Sequence, residues 1–445
     1  MNLIAASLVQ AVASLDWLAA LGLLFLLFPF LGTTATATNQ VALLRRMYDE
    51  DVETPFYQAS KLYQICRKDT EFRGEDRTVV VDVAPSAGGS SDFTEALANQ
   101  AAPEQVRFAI QHRSEYQVYS IQNSLIARAK GKGAIVDALK YALDKARYAF
   151  ARQMARGIWG NQGGAIGQLA PTVNLASTTL SFRNRADIAG LEKNMQLTFA
   201  SDDGSALSPA GTRDNGKKLR VDAVNRPANT ATLSAALNTV AGITANDFVH
   251  RSGDYANKMN GKKAWTPPTD PSGGENFNGI DRSTKDVSRV SGIRFNGLGQ
   301  NKVMTLIDAA AEGQLAGMGA DPGSKGEFYI AVSPIEYADL QKDRESLREI
   351  HVEATETGIG FDALMLNSAI GEAAIFSEVD VPKGFFWMFD EANFWFRTAG
   401  ECPMMLVNEN GSLLISATQD ARQGRLGCYG NTTDENPGHS VIGTW

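Results

Sequence analysis

The sequence predicts one long helix from Gly133 to Gly157. Apolar side chains recur there every three or four residues, at Ile135, Val136, Leu139, Leu143, Ala146, Phe150, Met154 and on to Ile158, while Lys140, Lys145, Arg147, Arg152 and Arg156 fall at other angles. That period belongs to an amphipathic helix with one face against a core. At a rise of 1.5 Å per residue it spans roughly 37 Å, enough to brace a whole folded unit. Gly160, Gly163, Gly164 and Gly167 follow, stopping the helix and permitting tight turns.

The remainder reads as β material and then as alternating helix and strand. Thr78–Val83 is rich in β-branched residues and Gln105–Ile121 alternates, so both are expected as strands. The twenty residues between them, Ala84–Pro103, form a loop far longer than a compact hairpin needs, and an arm of that length projects toward a partner or a task. From Ser177 to Asn257 short strands are expected at Leu180–Arg183, Met195–Ala200, Leu219–Val224 and Ala231–Ser234, as an inserted β subdomain. Lys258–Gly279, with Pro267, Pro268, Pro271, Gly273 and Gly274, reads as an exposed linker. Helices at Lys302–Leu315 and Pro334–Lys342, the second capped by Ser333, alternate with strands at Phe328–Val332, Ala363–Leu366, Ala373–Phe376, Gly384–Phe389 and Leu413–Ala417. The class is α+β.

With 445 residues, 44% hydrophobic and 21% charged, the chain can bury a large core. Its net charge of -8 argues against a dedicated nucleic-acid reader. The charge is nevertheless unevenly placed: Glu104–Gly160 holds ten Lys and Arg against four Asp and Glu, and Phe361–Trp445 holds four against eleven. Cys66, Cys402 and Cys428 are odd in number and widely spaced, so they are expected as reduced, mostly buried thiols rather than a disulfide framework.

Trp17–Leu31 is fifteen residues without a charge, and Asp16 is the only charge before Arg45. A spanning helix needs about 20 apolar residues, and a secretory signal needs a preceding Lys or Arg, so neither reading fits the run well. Three readings stay open: a translated start upstream of the true one, with folding beginning near Thr33–Asn39 or at latest at Met47; an anchor or signal; or an arm that packs in an assembly.

No catalytic constellation emerges. His112, His250, His351 and His439 sit in unrelated contexts, no G-x-S-x-G occurs, and Gly160–Gly167 lacks the G-K-[ST] of a phosphate loop. Asp247 with Asp254, and Asp380 with Asp390, read as solvated turn residues. No catalytic residue, cofactor site or metal site is assigned, and the chain is not expected to be an enzyme.

The order of parts resembles the major capsid proteins of tailed phages. The likeness rests on FRGEDRTVVVDV (Phe72–Val83), GGSSDFTEALAN (Gly88–Asn99), RQMARGIWGNQGGAIGQL (Arg152–Leu169), NDFVHRSGDY (Asn246–Tyr255) and FYIAVSPIEYADL (Phe328–Leu340), and covers Asn39 to the C-terminus. The resemblance implies the capsid fold shared by tailed phages, herpesviruses and encapsulins. It divides the chain into an apolar leader (1–38), an N-terminal arm (39–72), an extended loop (73–122), a spine helix with peripheral domain (123–175), an inserted β-rich subdomain (176–285) and an axial domain with return of the peripheral domain (286–445). It implies a virion protein, made in the host cytoplasm, whose copies form hexamers and pentamers around double-stranded DNA, with scaffolding and portal proteins as partners and no small-molecule substrate. Gly88, Gly89, Phe93 and Leu97 become candidates for inter-subunit contact; on the charge split, Lys140, Lys145, Arg147 and Arg152 are candidates for facing the genome, the alternative being a solvated helix face. Covalent cross-linking of subunits is not expected. The competing reading is a membrane-tethered surface binding protein anchored by Trp17–Leu31.

Overall fold

The structure is a computed structural model that describes residues 60–124, 134–205, 209–297, 299–315, 317–318, 327–342, 350–351, 364–406, 414–416 and 419–445. The apolar run Trp17–Leu31 and residues 39–59 of the expected arm lie outside these. Among the described residues no helix is long and apolar enough to cross a membrane. The chain separates into two compact units, one of Met1–Thr54, Val118–Lys145 and Val407–Arg425, the other of Pro55–Gln117, Ala146–Leu406 and Leu426–Trp445.

In the larger unit, seven strands form a mixed sheet in the spatial order Ile293–Asn296, Ser440–Thr444, Phe385–Asp390, Phe328–Val332, Gly371–Ser377, Leu364–Ser368, Ile350–His351. Phe328–Val332 lies near its centre, parallel to Gly371–Ser377 and antiparallel to Phe385–Asp390. All five of its residues are buried, which is why it reads as an unbroken apolar run rather than an alternation. The helix Lys302–Leu315 buries Val303, Leu306, Ala309, Ala310 and Gly313, the three-and-four spacing of a single face. Val303, Leu306, Ala309 and Ala310 join Ile330, Val332, Phe386, Met388 and Val441 in one core. The helix Pro334–Lys342 begins as expected at Ser333, whose hydroxyl donates to Glu336 Oε2 (2.6 Å) while its oxygen accepts from the Glu336 N–H (3.4 Å).

A second sheet of six strands runs in the order Ala165–Gln168, Phe248–Arg251, Gln196–Ala200, Leu219–Asn225, Thr230–Leu233, Thr179–Ser181. It closes on itself. Leu169 and Phe182 form an antiparallel bridge, the Arg183 N–H donates to Gln168 O and the Ala170 N–H to Ser181 O, both at 2.9 Å. Closure removes both free edges, and the interior is filled by Leu169, Leu180, Phe182, Leu197, Phe199, Val221, Leu233 and Val249. The expected strands of this region are present; Ala165–Gln168 and Phe248–Arg251 complete the barrel and were not anticipated.

Three expectations are overturned. Lys258–Gly279 is no uniformly exposed linker: Met259, Lys262, Trp265 and Thr266 are each at most 1% exposed, and the exposed residues fall after them, as at Thr269–Asp270 and Ser272–Gly274. Its first part follows a buried path, because the Lys262 ammonium finds Asp434 Oδ2 at 2.7 Å and the Trp265 indole N–H finds Thr432 O at 3.3 Å. Cys402 and Cys428 are joined as a disulfide with Cα atoms 5.1 Å apart, since the chain returns beside itself after 26 residues; Cys66 alone is free and buried. Of the acidic pairs, Asp247 and Asp390 are buried rather than solvated, Asp247 receiving Arg213 through two hydrogen bonds of 2.9 Å, and Asp254 and Asp380 are half-buried against Lys258 and Arg152.

In the smaller unit Leu414–Ile415 pairs with Arg422–Gln423, and Asn123 is bonded to Asp420 through both backbone (3.0 Å) and side chain (2.7 Å).

Candidate functional site

Two strands, β1 (Asp76–Ala84) and β2 (Glu104–Gln111), pair antiparallel, with Val79 opposite Phe108 and Val81 opposite Val106. Strict alternation puts Val79, Val81, Val83, Val106, Phe108 and Ile110 on one buried face. That face is seated on the larger unit's own core: the Phe108 ring meets Trp265 edge-on at 5.3 Å and Phe277 at 6.0 Å, and the Ala109 N–H donates to Asn278 O at 3.0 Å. The expected second strand, Gln105–Ile121, is in fact two, interrupted at His112, whose ring stacks on Phe72 at 3.8 Å.

Beyond a register slip between Asp82 and Ala84 the burial ends. No residue from Ala84 to Gln105 is buried. The loop is nonetheless ordered, by a helix α1 (Phe93–Ala98) that sequence reading missed. Asp92 caps it, its Oδ1 accepting from the Thr94 N–H at 2.7 Å and the Glu95 N–H at 3.4 Å. The D-x-x-E spacing of Asp92 and Glu95 was the available signal. Gly88 sits at φ +124°, and a β-carbon there would press within 3.2 Å of Ala96 O, so a glycine is needed to fold the tip back on α1. Gly89 has open space around it and no such constraint. Phe93 is 82% and Leu97 60% exposed, one turn apart on a helix with no buried residue.

The long helix, α2 (Ala134–Trp159), carries the other candidates. Phe150, Met154, Ile158 and Trp159 are buried, as the periodicity required. Lys140 lies within α2, the Lys145 ammonium stands 5.2 Å from the centre of the Tyr141 ring, and Arg147 is exposed. Arg152 is turned elsewhere: its guanidinium holds Asp380 with two hydrogen bonds, at 2.5 and 2.8 Å, and its side chain is 14% exposed. Asp380 also receives Arg156 Nε at 3.5 Å, and its backbone carbonyl receives Lys263 Nζ at 2.7 Å. Part of the charge split seen in the sequence is therefore closed internally, basic helix against acidic C-terminal segment.

Burial dominates the electrostatics of this cluster. It pushes Asp187 up to about 6 against the pull of Arg156 and Lys263, and pushes Lys263 down to about 8 against the pull of Asp380 and Asp187. The helix ends in the glycine turn, where Gly163 and Gly164 touch the backbone of Asp203 and Asp254 so closely that a side chain would not fit. A second buried network joins Glu115 to Lys258 (2.6 Å) and to Gln153, which accepts from Arg251 at 2.5 Å. These contacts tie Gln153 of α2 to Glu115 and Arg251. Among the described residues no group of three or more His, Cys, Asp or Glu is arranged to hold a metal ion.

With this geometry in view, the class is the tailed-phage major capsid fold: an α+β chain with an extended two-stranded loop, a spine helix, an inserted β-rich subdomain and a mixed α/β unit. A capsid chain of cyanophage A-1(L) is similar over 87% of this chain and 93% of its own, with a TM-score of 0.50 at 11% identity. The capsid of a native GTA particle is similar over 93% and 99% (TM-score 0.46, 10% identity), and a chain of Gordonia phage Cozz over 94% and 96% (TM-score 0.40, 11% identity). No protein-family signature matches the chain, and no curated protein is similar to it in sequence.

Proposed function

We propose that the chain is a structural capsid protein that acts by self-assembly, its copies joining as hexamers and pentamers of an icosahedral phage head around double-stranded DNA. The observation that carries this reading is the free flank of the β1–β2 hairpin. A chain with ample core leaves some twenty residues unburied, orders them with a capped helix and a constrained Gly88, and sets Phe93 and Leu97 on the outside. Exposed apolar pairs on an ordered projection stabilise nothing in a monomer, whereas a neighbouring copy gains buried area from them. Contacts between unlike faces of identical copies close into rings when the rotation allows.

In this reading 39–72 is the arm, 73–122 the extended loop, 123–175 the spine and peripheral domain, 176–285 the inserted subdomain and 286–445 the axial domain with the peripheral return. Scaffolding and portal proteins are further partners, the virion is the site of action, and no catalysis is involved. Lys140, Lys145 and Arg147 remain candidates for facing the genome; Arg152 leaves that set because Asp380 neutralises it.

The test is assembly of the full chain, followed by electron microscopy and sedimentation. Wild type is expected to form rings or shells, and Phe93→Ser with Leu97→Ser to stay monomeric with unchanged secondary structure. Shells built equally well by the double variant, or a wild type that remains monomeric at high concentration with scaffolding protein present, overturn the proposal.

A further inference from the structure

Strand β3 (Phe394–Thr398) pairs along its whole length with β5 (Ala421–Asp434), and the shorter β4 (Met404–Leu406) lies on the other side of β5. Up to Gly400 the chain is firmly stitched. The Ala399 N–H donates to Tyr429 O at 2.8 Å, the Gly400 N–H to Thr70 O at 3.0 Å, and the Thr398 hydroxyl to Gly400 O at 2.6 Å. Beyond it Glu401, Pro403 and Met405 are exposed, and three residues of β4 are the next regular structure. The Cys402–Cys428 disulfide stands at this boundary, between the ladder and β4. Its two ends differ: Cys428 is 1% exposed within β5, while Cys402 is half-buried and within reach of a small thiol. The remaining cysteine, Cys66, is buried and gives its thiol hydrogen to Tyr63 O at 3.4 Å, so it is no competitor for exchange.

We infer that Cys402 and Cys428 form a reversible thiol–disulfide site, a latch whose redox state sets how firmly β4 is held to β5. Closing it with a small-molecule disulfide proceeds through a mixed disulfide at the accessible Cys402. The Cys428 thiolate then attacks the Cys402 sulfur. The reagent's S–S bond is broken, one S–S bond forms in the protein, and two reagent thiols leave with the two electrons and two protons given up by the cysteines. Opening by a dithiol reverses this. The bond restricts the open-chain freedom of the enclosed loop, so oxidation favours the docked strand. The latch belongs to the single chain and does not depend on assembly.

The full chain, incubated with glutathione disulfide or with dithiothreitol, tests it by hydrogen exchange at the Met404–Leu406 amides, with intact mass and thiol alkylation reporting the redox state. Exchange at β4 is expected to be at least tenfold slower in the oxidised chain, with one alkylated thiol rather than three. Exchange in the Phe328–Val332 strand is expected to be the same in both. Cys402→Ser is expected to show the fast rate under either condition. Three alkylated thiols after glutathione disulfide, or equal β4 exchange in the oxidised and reduced wild type, overturn the latch, and the wild-type comparison decides the matter even if the variant folds poorly.

Discussion

Arg152 holds Asp380 through two parallel hydrogen bonds, Nη1 to Oδ2 at 2.5 Å and Nη2 to Oδ1 at 2.8 Å, across 228 residues of sequence. The side chains are 14% and 8% exposed, so water screens the pair little. Removing Arg152 takes away both short bonds and leaves the largely buried Asp380 carboxylate only the longer Arg156 contact at 3.5 Å. Arg152→Ala is expected to cost about 3–5 kcal/mol in chemical denaturation. Arg152→Met with Asp380→Leu is expected to recover much of that loss; a double variant as unstable as the single one would show that the pair does not act as a unit.

Asp187 makes stability depend on pH in an unusual direction. Burial pushes its carboxyl up to about 6 in the fold, above the ordinary carboxylate range, against the attraction of Arg156 and Lys263. The folded state therefore binds this proton more tightly, and the associated stability is present below about pH 4 and lost as the pH rises through about 6. Between those values wild type is expected to lose up to about 1.4 kcal/mol per pH unit from this group. Asp187→Asn is expected to flatten that slope, as measured by urea denaturation at a series of pH values.

Two glycines twelve residues apart should respond oppositely to the same substitution. A β-carbon on Gly261 would collide with the backbone of Gly157, Ile158 and Gly160 at the end of α2, none of which can move without unwinding the helix. Gly273 has nothing near it. Gly261→Ala is expected to cost about 3 kcal/mol or more, whereas Gly273→Ala is expected to stay within about 0.5 kcal/mol of wild type. Thermal unfolding of both checks the contrast.

The basic face of α2 gives a test of the genome-facing assignment. Replacing Lys140, Lys145 and Arg147 by Gln, with Arg152 left to hold Asp380, is expected to lower the slope of DNA binding against salt by up to about 3 if all three meet phosphates. Unchanged salt dependence and genome retention would assign these residues to a solvated helix face instead.

Local pattern alone carried a good deal. The spine helix, the strand Phe328–Val332 and the helices Lys302–Leu315 and Pro334–Lys342 were legible because a period of 3.6, an unbroken apolar run and a Ser cap are properties of neighbouring residues. The hairpin was legible for the same reason, and its over-long loop marked the candidate assembly surface. Tertiary structure alone decided the rest. Arg152 and Asp380, Lys262 and Asp434, and Cys402 and Cys428 find one another only when distant segments are packed side by side, and no spacing in the chain encodes that meeting. For Lys258–Thr266 composition misled: three lysines beside a run of prolines and glycines suggest solvent, yet the Lys262 ammonium is bonded to Asp434 and Ser440 within the core, and only its partners' positions reveal it.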